Sequence, residues 1–200
     1  MRPTFIALVL TASVAAQAAP PKASVRLDRA LVELERSPSD SQTLRRVLDL
    51  SHAAGGLEQL VKRYQDRALA KPSLPIPRLI LGHLRRASGD CASATESYRA
   101  AAERDLKMAA PHLGIAECAM VAERWSDAAA AFRVAADRER NTQRKIDVLE
   151  QLVRAALQAE QDAVAQAAFI QLVAVSPQKQ LVRIHHAQAL ERSGRLKLAL

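Results

Sequence analysis

Residues Pro75–Met108 read PIPRLILGHLRRASGDCASATESYRAAAERDLKM, and this stretch decides the fold. Ile76, Leu79, Ile80, Leu84 and Ala87 fall at helical spacing before Gly89, and Ala94, Tyr98, Ala101 and Ala102 do so after it. A glycine between two such faces suits a helix C-terminus, where the backbone turns left-handed. The stretch therefore predicts two helices joined by a short turn, with small side chains on the second that let the backbones approach.

The pattern recurs along the chain. Beyond residue 18 the aromatic residues are Tyr64, Tyr98, Trp125, Phe132 and Phe169, and Tyr64, Tyr98 and Phe132 stand 34 positions apart. Ala94 and Ala128 precede two of these rings by four residues, and Ala101 and Ala135 follow them by three. Pro38 and Pro72 keep the same period, as do Gly55 and Gly89. A fixed period of this size marks a solenoid of supersecondary units, each burying its apolar face on the next. Composition agrees: 49% hydrophobic and 25% charged residues exclude global disorder, and 3% aromatic content with abundant alanine and leucine favours helices.

These columns, with Leu81-Gly82, the small-aromatic-small spacing around Tyr98 and the closing prolines Pro72 and Pro177, resemble the tetratricopeptide repeat family, in its exported bacterial form. The resemblance implies an all-α, right-handed α-solenoid of stacked antiparallel helix pairs. It divides the chain into a signal segment 1–18, a linker and capping helix 19–40 and a repeat domain 41–200, with units 41–74, 75–108, 109–142 and 146–179 and a partial unit 180–200. Gln143–Lys145 stand as an insertion between repeats. Val47-Leu48 and Leu60 depart from the pattern in the first unit, and Glu123 and Glu160 replace the turn glycine in the third and fourth.

The N-terminus reads as an export signal: Arg2, the apolar run Phe5–Leu10, and Ala16-Gln17-Ala18 as a cleavage motif, giving cleavage after Ala18 and a periplasmic or secreted protein. The apolar run is shorter than the roughly 20 residues of a spanning helix, and no other segment is apolar enough to cross a membrane. The formal net charge is +8, with basic and acidic residues interleaved. That describes a solvated helical surface; nucleic-acid binding, which needs a basic stripe and spare aromatics, is not expected.

Cys91 and Cys118 are the only cysteines. In the repeat register they lie on neighbouring antiparallel helices, which leaves two alternatives: a disulfide, stabilising by roughly 3 kcal/mol through loop closure, or two buried thiols. His52, His83, His112, His185 and His186 lack metal-site spacing. No phosphate loop, nucleophile elbow or paired carboxylates occur, so neither an enzyme, a cofactor nor a metal is expected.

The resemblance places partner binding on the first helices of the units, at Arg45, Asp49, Leu79, His83, Arg86, Leu113, Glu117, Glu150, Arg154, Ile184 and Gln188. The implied function is a non-catalytic protein-interaction scaffold of the cell envelope that takes a protein or peptide segment in a concave groove. The alternative is an N-terminal regulatory or positioning repeat segment of a longer enzyme or envelope assembly factor. Leu196, Leu198 and Leu200 leave the last unit uncapped, so this end is expected to continue, or to dock on a partner or a second copy.

Overall fold

The computed structural model describes residues 21–192 and Gly194, and within them the chain forms helices and no strand. The helices are α1 (Pro21–Arg36), α2 (Ser41–Ala53), α3 (Leu57–Ala70), α4 (Pro75–Ala87), α5 (Cys91–Arg104), α6 (Ala110–Val121), α7 (Trp125–Arg138), α8 (Thr142–Gln158), α9 (Asp162–Val175) and α10 (Lys179–Arg192). The expected signal segment with its cleavage after Ala18 lies outside the described residues, as do Leu196, Leu198 and Leu200.

Local chemistry sets the helix ends. Asp40, Asp90 and Asn141 accept backbone N–H bonds from Gln42, Ser93 and Arg144 and so cap α2, α5 and α8. Pro75 and Pro111 sit in the first turns of α4 and α6, where a missing N–H costs nothing. Pro38, Pro72 and Pro177 follow closely on the ends of α1, α3 and α9. After α4 the chain reverses through Gly89 at φ +86°; after α6 and α8, Glu123 and Glu160 take the same left-handed conformation, at φ +54° and +57°.

Consecutive helices pack on one another, most closely α4 with α5, α6 with α7, and α8 with α9. The alanine column Ala94, Ala101, Ala128, Ala135 and Ala165 is buried, as are the rings of Tyr64, Tyr98 and Phe132. Phe169, last of the aromatic column, is half-buried, because α10 alone follows it among the described helices. The Tyr98 ring lies over two glycines: a Cβ at Gly82 would stand 2.5 Å from its Cε1, and one at Gly114 would meet its Cζ as closely. Large side chains thus fill the space that small ones open.

Two features depart from a uniform repeat. Gln143–Lys145 are helical: they lie at the start of α8, which begins at Thr142 under the Asn141 cap and runs 17 residues, against 13 for α4. Arg144 is held there by Glu139, 3.0 Å away. At the other end α2 touches α3 only sparsely, and α1 packs on α2 while also reaching α4. Leu60, where the pattern has a small residue, is buried, and Leu27, Ala30, Leu31 and Leu34 of α1 share one core with it and with Val47, Ile80 and Leu84. Burying Leu31 and Leu34 stabilises this docking by about 1.5 to 3 kcal/mol each. Polar contacts fasten the same helix to α3: Arg63 bonds Asp28 at 2.7 Å, while Glu35 accepts from the Tyr64 hydroxyl at 2.6 Å and from Arg67.

Candidate functional site

The first-helix residues expected to meet a partner fall into three groups. Arg45 and Asp49 on α2, Glu150 and Arg154 on α8, and Ile184 and Gln188 on α10 are exposed. Leu113, Arg86 and Glu117 are half-buried, and the last two form an ion pair at 2.7 Å that bridges α4 and α6. Leu79 and His83 are buried, which corrects their assignment to an open groove: Leu79 is fully enclosed with Ala94 and Tyr98, and His83 is 8% exposed.

His83 is buried because the α1–α2 turn closes over it. Its Nε2 lies 3.2 Å from the carbonyl oxygen of Pro38, 45 residues earlier in the chain. A carbonyl only accepts, so Nε2 carries the proton and donates. Nδ1 is then the acceptor and takes the hydrogen bond of the Tyr98 hydroxyl at 2.9 Å. The two rings meet edge-on with centroids 5.4 Å apart. Tyr98 in turn accepts from Arg86, which holds Glu117. One polar chain therefore runs from the α1–α2 turn through α4 and α5 to α6.

Charge follows that geometry. Burial first, and Arg86 second, hold His83 down at about 4, so the ring is neutral at ordinary pH. Burial raises the Tyr98 phenol well above its ordinary range. Burial also raises the Glu117 carboxyl, against the pull of Arg86. A second such pair lies on the next repeat: Arg138 donates to His112 Nε2, and burial together with that guanidinium keeps His112 low.

Cys91 opens α5 and is half-buried; Cys118 on α6 is buried, and both are free thiols. Burial and the hydrogen-bonded Cys91 thiol push Cys118 up to about 12. Two neighbouring thiols with a buried, protonated member are chemically quiet until an oxidant reaches the accessible one.

The polar chain through His83 escapes sequence reasoning because Pro38 signals no more than a helix stop. Gly114 escapes it because it sits two residues before Ala116 and outside the repeating columns.

No family model matches the chain, and neither does any curated protein. Among solved structures it is similar to MamA, at 17% identity and TM-score 0.59 over 72% of this chain and 83% of that one. It is similar to TTC0263, a thermophilic TPR protein of Thermus thermophilus, at 16% and 0.52 over 84% and 91%. It is also similar to PilW, a type IV pilus biogenesis factor, at 17% and 0.54 over 90% and 74%. With its consecutive helix pairs, its alanine columns and its buried aromatic column, the chain has the all-α solenoid fold of tetratricopeptide repeat proteins.

Proposed function

We propose that this chain is a non-catalytic protein-interaction scaffold, exported to the cell envelope, that takes a protein segment along the first helices of its later repeats. The observation that carries the reading is the row of exposed first-helix side chains Glu150, Arg154, Ile184 and Gln188 on α8 and α10. Side chains left outside the core have no packing role within the chain, and a repeat surface of this kind offers a long, adaptable contact face. Leu79 and His83 are buried and drop out of the contact set, which leaves the row on α8 and α10 as its longest exposed run, with Arg45 and Asp49 on α2 apart from it.

The envelope assignment is supported by the Arg2 to Ala18 segment, which has the charge, apolar run and small-residue motif of an export signal. PilW, a fold neighbour, serves pilus biogenesis. Photo-crosslinking from positions 184 and 188 in the full chain, expressed in cells and recovered from fractionated envelopes, tests both parts. A specific adduct lost in Arg154→Glu, together with a mature N-terminus at Ala19, is the expected result. Arg45→Glu, Arg86→Glu and Arg154→Glu all giving the wild-type adduct would sink the groove assignment, and retention of Met1 would sink export.

A further inference from the structure

Away from the first-helix face, the α5–α6 turn, the α7–α8 turn and Ser39 of the α1–α2 turn enclose an open cleft of about 420 Å³. Its walls are charged unevenly. Lys107, Arg138, Arg140 and Arg144 supply four cations, against Asp105 and Glu139. Glu139 is already engaged: it accepts from Arg144 at 3.0 and 3.1 Å and from the Asn141 N–H at 2.8 Å. Asp105 accepts the backbone N–H of Lys107 at 2.9 Å, which leaves its charge in place, so three cations face one free carboxylate.

The cations are less well matched. Arg138 donates to a neutral imidazole, which leaves its charge uncompensated. The side chains of Lys107 and Arg140 are exposed and form no ion pair among the described residues. The cleft also takes in Ala109 and Ala110, the start of α6, whose first turn has no side-chain cap. Unmatched guanidinium and ammonium groups in excess over carboxylates in one concavity favour an anion.

We propose that this cleft is a docking site for an acidic segment of a protein partner, with Lys107, Arg138 and Arg140 as the carboxylate-binding groups. The assignment rests on the scaffold reading for the nature of the ligand. The cleft holds far more than one small anion fills, and it is open to solvent, so a chain can run through it. Three cations contributed by two turns match carboxylates spread along a chain. Because the turns belong to successive repeats, a segment bound here would lie along the edge of the solenoid and leave the first-helix face free.

The test is fluorescence anisotropy of the full chain with a labelled Glu/Asp-rich decapeptide at low salt, with an uncharged decapeptide of the same length as control. Wild type is expected to bind the acidic peptide and not the neutral one. Affinity should weaken by about tenfold or more in the Lys107→Glu, Arg140→Glu double variant, where two attractive contacts become repulsive. Lys107→Gln with Arg140→Gln, which removes charge without adding repulsion, should give an intermediate loss. Lys62→Glu, a charge reversal on the exposed surface of α3, should bind as wild type does. No binding by wild type, equal binding by the double variant, or displacement by inorganic phosphate at millimolar concentration each overturns the assignment. Loss in Arg154→Glu alone overturns the cleft and leaves the scaffold reading standing.

Discussion

The ring of Tyr98 occupies the space that a side chain at Gly114 would need: a Cβ there would meet the ring well inside van der Waals contact. Gly114→Ala is therefore an overpacking change at a buried site, costing about 1 to 3 kcal/mol, partly offset by the roughly 1 kcal/mol that alanine gains in a helix. A lowered denaturation midpoint in Gly114→Ala is expected. In a Tyr98→Leu background the same change should lose most of its cost; an equal cost in both would show that the ring is not what Gly114 accommodates.

His83 makes stability depend on pH. Its folded value of about 4 lies below the ordinary 6.5, so between these two pH values the unfolded chain binds a proton that the folded chain refuses. Stability is then fully present above pH 6.5 and falls as pH drops toward 4, by about 3 kcal/mol in all. Glu117, raised by burial, works in the opposite sense at the acid end. Thermal melts from neutral pH down to the acid side of that window should show the decline in wild type and a flatter profile in His83→Gln. Parallel profiles would contradict the burial of His83.

Oxidation should join Cys91 to Cys118. Treatment with oxidised glutathione would transfer two electrons from the two thiols to the glutathione disulfide, forming one protein disulfide and two reduced glutathione molecules. Closing a loop of this length should stabilise by roughly 3 kcal/mol. Titratable thiols in the unfolded, unreduced chain should fall from two to none, and the melting temperature should rise in wild type and not in Cys91→Ser. Two remaining thiols, or glutathione adducts on both residues, would exclude the bridge.

Glu123 and Glu160 hold left-handed backbone that costs a residue bearing a Cβ about 1 kcal/mol or more. Glycine takes this conformation freely but loses more freedom on folding. Glu160→Gly should therefore stabilise modestly, raising the melting temperature by about 1 to 3 °C, while Glu160→Val at the same place should destabilise. A lower melting temperature for Glu160→Gly than for wild type would show that the glutamate side chain contributes more than the strain removes.

The solenoid is legible in the sequence because its signals are local and repeated. Alanines and rings at fixed offsets report which face of each helix is buried, and Asp90 and Gly89 mark a start and a stop within a few residues of one another. The candidate site is legible only in part. Repeat register indicates which way a first-helix side chain points, and Glu150, Arg154, Ile184 and Gln188 are exposed where that register puts them outside the core. Register carries no information on what else folds over the same surface, so it misplaces Leu79 and His83.

The chain's own order of residues determined the helices, their pairing with near neighbours and the aromatic column, since hydrophobic spacing, capping side chains and turn conformations act over one or two helical turns. Tertiary structure alone decided that Pro38 closes over His83, that Arg86 and Glu117 neutralise each other, and that Lys107, Arg138 and Arg140 share a cleft with Ser39. Pro38 and His83 stand 45 positions apart, and at such separations no local period constrains the partner. There the outcome depends on how α1, α2, α3 and α4 pack into one shared core, which brings the α1–α2 turn onto α4.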